Sequence, residues 1–250
     1  MKMCMMQVKL LCFPYAGGSA RIYDSWKNNI HPSIDVVPIE PSGRGTRMNE
    51  PLCDSMEEMV EDLYPRVRKE LEDHLPYALF GHSLGGLVVY EMAHRLMEKG
   101  DKKPQHLFVS GKRAPHMKDS QKQIHRLRDQ EFIQEIYQLG GTPKEVLQEK
   151  ELLELILPVL RKDYRVAETY RYPTGRRLLT SEISVLYGTR DEIMSGSEAR
   201  EWEELTAKGT RTYPFEGGHF FIHDHWKEVL KTIQQTLLGS PVSPSAHSRI

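Results

Sequence analysis

A pentapeptide at residues 81–85, Gly-His-Ser-Leu-Gly, constrains this chain more than any other stretch. An apolar, strand-like run precedes it at 77–80, and apolar residues at helical spacing follow it at 84–99. A Gly-x-Ser-x-Gly between a strand and a helix is typical of a nucleophile elbow, in which the glycines let strand and helix pass closely. Ser83 is therefore the candidate nucleophile. A glycine-rich turn without chemistry would show the same short pattern.

Strand-like and helix-like segments alternate on both sides of this pentapeptide. The patterns predict strands at 8–13, 34–39, 77–80, 107–110, 183–187 and 210–215, and helices at 23–30, 54–71, 84–99, 198–207 and 226–238. Such alternation predicts an α/β protein with a mostly parallel central sheet and helices on both faces. Pro65 is expected to kink or break the helix that contains it.

The alternation stops between residues 112 and 172, where only helix-like segments occur. They lie at 127–139, 144–157 and 159–170. This is too much helix for one crossover connection, so we expect a helical cap, or lid, inserted into a single domain. The core of that domain would comprise residues 8–111 and 173–238. Residues 239–250, rich in Ser and Pro, are expected to form a disordered tail.

A serine nucleophile needs a neighbouring base, and that base needs an acid to orient it. Asp191 follows the strand predicted at 183–187, and His219 follows the strand predicted at 210–215. Both thus fall at the carboxyl ends of strands, where sites of α/β proteins collect, and in the order acid then histidine. Ser83, Asp191 and His219 form the predicted catalytic triad.

Each partner has rivals. Glu192 and Glu216 are alternative acids, although Glu216 lies too close to His219 along the chain to orient it easily. His223 and His225 are alternative bases that fall at the start of the last predicted helix, where solvated side chains are expected.

An oxyanion intermediate requires two hydrogen-bond donors. The backbone N–H of Leu84, directly after the nucleophile, is the first candidate. The second is the N–H of Ala16, in the loop at 14–18 (Pro-Tyr-Ala-Gly-Gly) that follows the first predicted strand. A plain glycine-rich turn remains the alternative for this loop.

Charge and cysteine content exclude several classes of function. The 250 residues carry 34 Lys and Arg against 35 Asp and Glu, a net charge of −1 that argues against general binding to nucleic acid or membrane surfaces. The beginning of the sequence has no signal-peptide pattern, and no apolar run approaches a membrane span. The three cysteines show no metal-ligand spacing, so we expect no metal and a reducing, cytoplasmic environment.

Five blocks of sequence resemble the type II thioesterases, the stand-alone α/β-hydrolases that work beside non-ribosomal peptide and polyketide synthetases. The blocks are 11–18 (LCFPYAGG), 40–45 (EPSGRG), 79–86 (LFGHSLGG), 157–164 (LPVLRKDY) and 216–220 (EGGHF). The resemblance spans residues 8–238, with Ser42 as a mild departure, and it implies the same triad and no cofactor. It also implies hydrolysis of acyl or aminoacyl thioesters on the phosphopantetheine arms of acyl or peptidyl carrier proteins, which would edit mis-primed synthetases. A monomer is the default expectation.

Three other functions remain compatible with these residues. A medium-chain fatty acyl thioesterase that releases chains from a fatty acid synthase would use the same triad. A free-lipid esterase and a hydrolase-fold binding protein without chemistry are the other two.

Basic residues are concentrated where the predicted cap begins. Residues 112–128 include one acidic residue, Asp119, and six basic residues: Lys112, Arg113, Lys118, Lys122, Arg126 and Arg128. Lys118, Lys122 and Arg126 are therefore predicted to dock an acidic carrier protein and its phosphate-bearing arm. A solvated helix face would have the same composition.

Overall fold

The computed structural model describes residues 7–117, 122–141 and 149–239. Its central sheet has six strands in the order β2-β1-β3-β4-β5-β6. The strands are β1 Val8–Phe13, β2 Ile34–Pro38, β3 Tyr77–His82, β4 His106–Ser110, β5 Glu182–Gly188 and β6 Thr210–Phe215. Every pair of neighbours in this sheet is parallel, so the loops that follow these strands meet at one edge. The predicted parallel sheet is confirmed.

Helices lie on both faces of the sheet. They are α1 Asp24–Lys27, α2 Met56–Glu70, α3 Leu84–Glu98, α4 Asp129–Leu139, α5 Lys150–Thr169, α6 Gly196–Arg200, α7 Phe221–Asp224 and α8 Trp226–Leu238. Short turns of 3₁₀ helix occur at Ala20–Tyr23, Gly45–Arg47, Ile124–Arg126 and Glu201–Leu205. Within the described ranges, no helix is both long and apolar enough to cross a membrane.

Two prolines lie inside helices without ending them. The predicted separation of 144–157 from 159–170 is wrong, because α5 continues through Pro158. Likewise α2 continues through Pro65. A proline removes one helical hydrogen bond. In α5, burial of Val159, Leu160 and Val166 on one face offsets that loss.

The helix predicted at 198–207 is also shorter than expected. Ser195 caps α6 by accepting a hydrogen bond from the Glu198 N–H. The chain then tightens into the 3₁₀ turn Glu201–Leu205, which buries Trp202 and Leu205. Residues three apart lie on the same side of a 3₁₀ helix, so this turn places both side chains in the core.

Alternate residues of the strands form the two halves of the core. Leu11 and Phe13 pack on the face covered by α2 and α3. Leu10 and Cys12 pack on the face covered by α1 and α8. This division follows from the two-residue repeat of a strand, and it holds the strand ends that carry the candidate site in fixed positions.

The segment 112–172, hereafter the helical insertion, connects β4 to β5 and contains α4 and α5. Ile124, Phe132, Ile136 and Leu160 form a small core of its own. Val166 of α5 instead belongs to the main core. The insertion is thus attached to the sheet domain through α5. Residues 118–121, 142–148 and 240–250, which include Lys118 and nearly all of the predicted tail, lie outside the described residues.

Candidate active site

Ser83 occupies the sharp turn between β3 and α3. Its backbone angles are φ 53° and ψ −115°, and a positive φ is uncommon for a residue that carries a side chain. The Ser83 N–H donates to the Ser110 carbonyl at 2.7 Å, at the end of β4. A strained backbone held by its surroundings in this way is typical of functional turns.

Two glycines make this turn possible. A Cβ on Gly81 would lie 2.1 Å from the Gly85 carbonyl oxygen, and a Cβ on Gly85 would lie 2.2 Å from the Phe13 carbonyl oxygen. Both contacts are with backbone, which cannot move aside as a flexible side chain can. The start of α3 therefore rests directly against the end of β1, where the loop 14–18 begins.

Asp191 and His219 lie together at the same edge of the sheet, after β5 and β6. The Asp191 Oδ2 is 2.9 Å from the His219 Nδ1, and the Asp191 Oδ1 accepts from the Ile193 N–H at 2.8 Å. The Asp191 carboxylate is fully buried and the His219 side chain is 7% exposed. A carboxylate held in this way fixes the imidazole orientation and leaves Nε2 as the nitrogen available for proton transfer.

The rival residues are placed elsewhere. Glu192 is exposed, and Glu216 pairs with Arg190 at 3.2 Å on the surface. The His223 Nε2 lies 3.2 Å from the Tyr15 hydroxyl, whereas the His225 Nδ1 faces Glu228 at 4.0 Å.

His82 was not singled out from the sequence, although it stands inside the pentapeptide. Its ring is fully buried, its Nδ1 is 2.9 Å from the Ser110 hydroxyl oxygen, and its centroid lies 5.0 Å from that of His219. Burial, and then the charge of the nearby His219, hold the pKa of His82 well below its usual value. His82 is thus a buried ring that packs against the ring of His219. Its position directly before the nucleophile was the only sequence signal.

The loop 14–18 forms a tight turn closed by a hydrogen bond from the Gly18 N–H to the Tyr15 carbonyl at 2.9 Å. Gly17 has φ +77°, a conformation that favours glycine. Ala16 stands directly before it and is half-buried. Leu84 is the first residue of α3, and an N–H in the first turn of a helix has no acceptor within that helix.

The predicted docking residues are only partly described. The Lys122 Nζ forms an ion pair with Glu135 at 2.6 Å. Arg126 has an exposed side chain in the 3₁₀ turn Ile124–Arg126. Lys118 lies outside the described residues.

In the described part of the chain, a single group of side chains has the chemistry and spacing of a metal site. Ligand atoms of His116, Glu201 and Glu204 lie within 4.8 Å of one another. His116 pairs with the two glutamates at 3.8 and 3.4 Å. None of the three predicted triad residues belongs to this group.

Comparison with known proteins identifies the family. A family model described as the thioesterase domain matches residues 8–237. The chain belongs to the thioesterase family. The thioesterase PikA5 of Streptomyces venezuelae is 36% identical to it over 239 residues, which cover 96% of this chain and 84% of that protein. The medium-chain S-acyl fatty acid synthase thioesterase of Anas platyrhynchos is 33% identical, covering 94% of each chain.

Two solved structures resemble this thioesterase throughout. ClbQ from the colibactin NRPS/PKS pathway superposes with a TM-score of 0.89 and 38% identity, covering 93% of this chain and 98% of that one. The type II thioesterase BorB from the borrelidin biosynthetic cluster superposes with a TM-score of 0.83 and 35% identity, covering 92% and 93%. The α/β-hydrolase fold and the resemblance to type II thioesterases are confirmed, and the protein is a thioester hydrolase.

Proposed function

We propose that this thioesterase hydrolyses acyl or aminoacyl thioesters on the phosphopantetheine arms of carrier proteins, and so clears mis-primed non-ribosomal peptide or polyketide synthetases. The observation that carries the proposal is the buried Asp191–His219 pair at 2.9 Å at the same sheet edge as the Ser83 elbow. The similarity to ClbQ and BorB supports the class of pathway.

Ser83, Asp191 and His219 would act as a triad in two half-reactions. The Ser83 Oγ attacks the thioester carbonyl carbon while the His219 Nε2 takes the hydroxyl proton. The C–S bond then breaks, and the proton on Nε2 leaves with the thiol. Water next attacks the acyl-serine, His219 removes its proton, and the carboxylic acid departs as Ser83 is regenerated.

A thioester suits this machinery because its leaving group is easily expelled. A thiol has a pKa near 8.5, so the thiolate needs less protonation to depart than an amine would. Asp191 stabilises the imidazolium that forms on His219 in each half-reaction.

The oxyanion of each tetrahedral intermediate would accept hydrogen bonds from the N–H groups of Leu84 and Ala16. Contact between Gly85 and the end of β1 supports this assignment, because it holds the two donor segments side by side. Preorganised donors of this kind stabilise the charge that develops on the carbonyl oxygen.

The helical insertion would serve as a lid over this edge, as part of a single domain with the core at 8–111 and 173–238. Lys118, Lys122 and Arg126 would form a basic rim that attracts an acidic carrier protein and the phosphate of its arm. Such steering raises the rate of association more than the rate of chemistry.

A second candidate function is the release of medium-chain fatty acids from a fatty acid synthase, and the similarity to the Anas platyrhynchos enzyme favours it. The two functions share the chemistry and differ in the acyl chain accepted.

The test offers carrier proteins loaded with acetyl, aminoacyl and medium-chain acyl groups and follows release by intact mass. We expect rapid release of acetyl and aminoacyl groups by the wild type and none above background by Ser83→Ala. Preference for the medium chain would favour the second candidate. Faster hydrolysis of the same acyl groups on small alcohols would contradict both candidates.

A further inference from the structure

Two of the sequence blocks have no part in the chemistry above, yet both meet at the loop 14–18. Arg44 comes from the block 40–45 and Asp163 from the block 157–164. The Asp163 Oδ2 accepts a hydrogen bond from the Gly17 N–H at 2.7 Å. The Arg44 Nη1 donates to the same oxygen at 2.5 Å, and the Arg44 Nη2 donates to Oδ1 at 2.7 Å.

Arg44 and Asp163 form a buried ion pair that is joined by two hydrogen bonds. The Asp163 side chain is 1% exposed and the Arg44 side chain 8% exposed. Arg44 also donates to the Ser42 carbonyl at 3.2 Å and to the Gly18 carbonyl at 3.4 Å. The planar guanidinium therefore connects its own loop, the carboxylate of α5 and the far side of the loop 14–18.

α5 places a second side chain on the same turn. Leu160 stands three residues before Asp163, on the same face of the helix. Its Cδ2 lies 2.3 Å from the position that a Cβ on Gly17 would occupy. Leu160 thus covers Gly17 from one side while Asp163 holds its N–H.

These contacts fix the peptide groups that directly follow Ala16. Because the Gly17 N–H points to Asp163 and the Gly18 N–H to Tyr15, the orientation of the turn is set by hydrogen bonds on both sides. We propose that Asp163, held by Arg44, is a positioning residue that orients the Ala16 N–H toward the oxyanion. The oxyanion site is then formed only while α5 is seated on the sheet domain. This proposal rests on the proposed role of Ala16 as a donor.

The test compares two double variants that both lack the ion pair. Arg44→Met with Asp163→Asn keeps a side-chain oxygen for the Gly17 N–H. Arg44→Met with Asp163→Leu replaces that oxygen with a methyl group. Because neither variant buries an unpaired charge, both are expected to fold, and melting temperatures check this.

The first readout uses a small acyl thioester with no carrier protein. We expect kcat to be about 10²-fold lower in the Leu variant than in the Asn variant, with KM unchanged, since an oxyanion donor is worth 10²–10³ in rate. Affinity for an acyl trifluoromethyl ketone, which forms a tetrahedral adduct, should fall by a similar factor. Affinity for the matching acyl amide, which remains planar, should not change.

The second readout needs no activity. Hydrogen exchange at the Gly17 amide should be slow in the Asn variant and fast in the Leu variant. Asp54→Asn is the matched control, because Asp54 pairs with Lys162 and Arg165 of the same helix and does not touch the loop. Its kcat should equal that of the wild type.

Equal kcat in the two double variants, or equal protection of the Gly17 amide, would overturn the positioning role. If Asp54→Asn lowers kcat as much as the Leu variant does, any loosening of α5 would be enough to lower kcat. That result would also overturn the positioning role of Asp163. Failure of the wild type on loaded carrier proteins would refute the proposed function and leave these comparisons intact.

Discussion

The carboxyl edge of the sheet and the helical insertion are held by different kinds of contact. At the edge, backbone lies against backbone, as where Gly85 meets the Phe13 carbonyl. The insertion is attached largely through side chains of α5, including the ion pair between Arg165 and Asp54 at 2.7 Å. The first kind of contact tolerates almost no change, whereas the second can vary residue by residue outside the buried contact of Asp163 with Arg44 and Gly17. We infer that the edge fixes the reaction and that the rest of the insertion can adapt to the substrate.

The largest expected effect comes from a substitution that removes a catalytic charge at the carboxyl edge and leaves the shape of the side chain unchanged. Asp191→Asn should lower kcat about 10³–10⁴-fold, because the amide cannot stabilise the imidazolium of His219. Glu192→Gln is the matched control, since Glu192 is exposed and adjacent in sequence. Rates are measured on one small thioester. A greater loss from Glu192→Gln would show that the wrong carboxylate has been assigned.

The second prediction compares one substitution in the two regions. Gly85→Ala should lower the free energy of unfolding by at least about 4 kcal/mol, because the new Cβ meets backbone at 2.2 Å. Gly140→Ala, at the end of α4, should cost only about 1 kcal/mol. Its φ is +76°, but the new Cβ would have no other contact within 4 Å among the described residues. Denaturant unfolding measures the loss of stability in both variants. Similar losses would contradict the claim that the edge tolerates less change than the insertion.

The smallest expected effect concerns the basic rim of the insertion. Reversing Lys118, Lys122 and Arg126 to Glu should lower kcat/KM for a carrier-bound substrate about tenfold at low salt and flatten its salt dependence. Hydrolysis of a small uncharged thioester should hardly change.

A matched reversal provides the control for this prediction. Lys69, Lys99 and Lys208 are exposed. Lys69 lies in the last turn of α2, Lys99 directly follows α3, and Lys208 precedes β6, so all three lie toward the amino edge of the sheet. Their reversal should leave kcat/KM for the carrier substrate unaltered. An equal loss from both triple variants would indicate an effect of net charge, and no loss from either would mark the rim as a solvated surface.

The same two regions differ in how well the sequence predicts them. The strands and the elbow follow from short-range patterns: apolar runs with a two-residue repeat, and two glycines that a tight turn requires. The order of Ser83, Asp191 and His219 placed each residue after a strand, and a parallel sheet brings such loops to one edge. Local patterns therefore predict most of the strands, and they predict the edge of the sheet to which Ser83, Asp191 and His219 belong.

The insertion depends on contacts that no local pattern contains. Arg44 and Asp163 stand 119 residues apart, and nothing in either block indicates that they pair. Pro158 predicts a helix boundary if only neighbouring residues are considered. The helix continues because α5 buries an apolar face against residues that are distant in sequence. From the sequence, Lys122 is predicted to be available for a partner. In the structure it forms an ion pair with Glu135, and this contact depends on how α4 packs.

The hydrogen bond from Gly17 to Asp163 also has a consequence for folding, because it closes a loop of 146 residues. Contacts so distant in sequence carry a large loop-closure cost and form late. During synthesis the segment that contains Ser83 emerges before α5, so the turn at Gly17 still lacks its acceptor at that stage. Residue 163 must emerge and α5 must dock before the loop beside the serine is held in its final conformation.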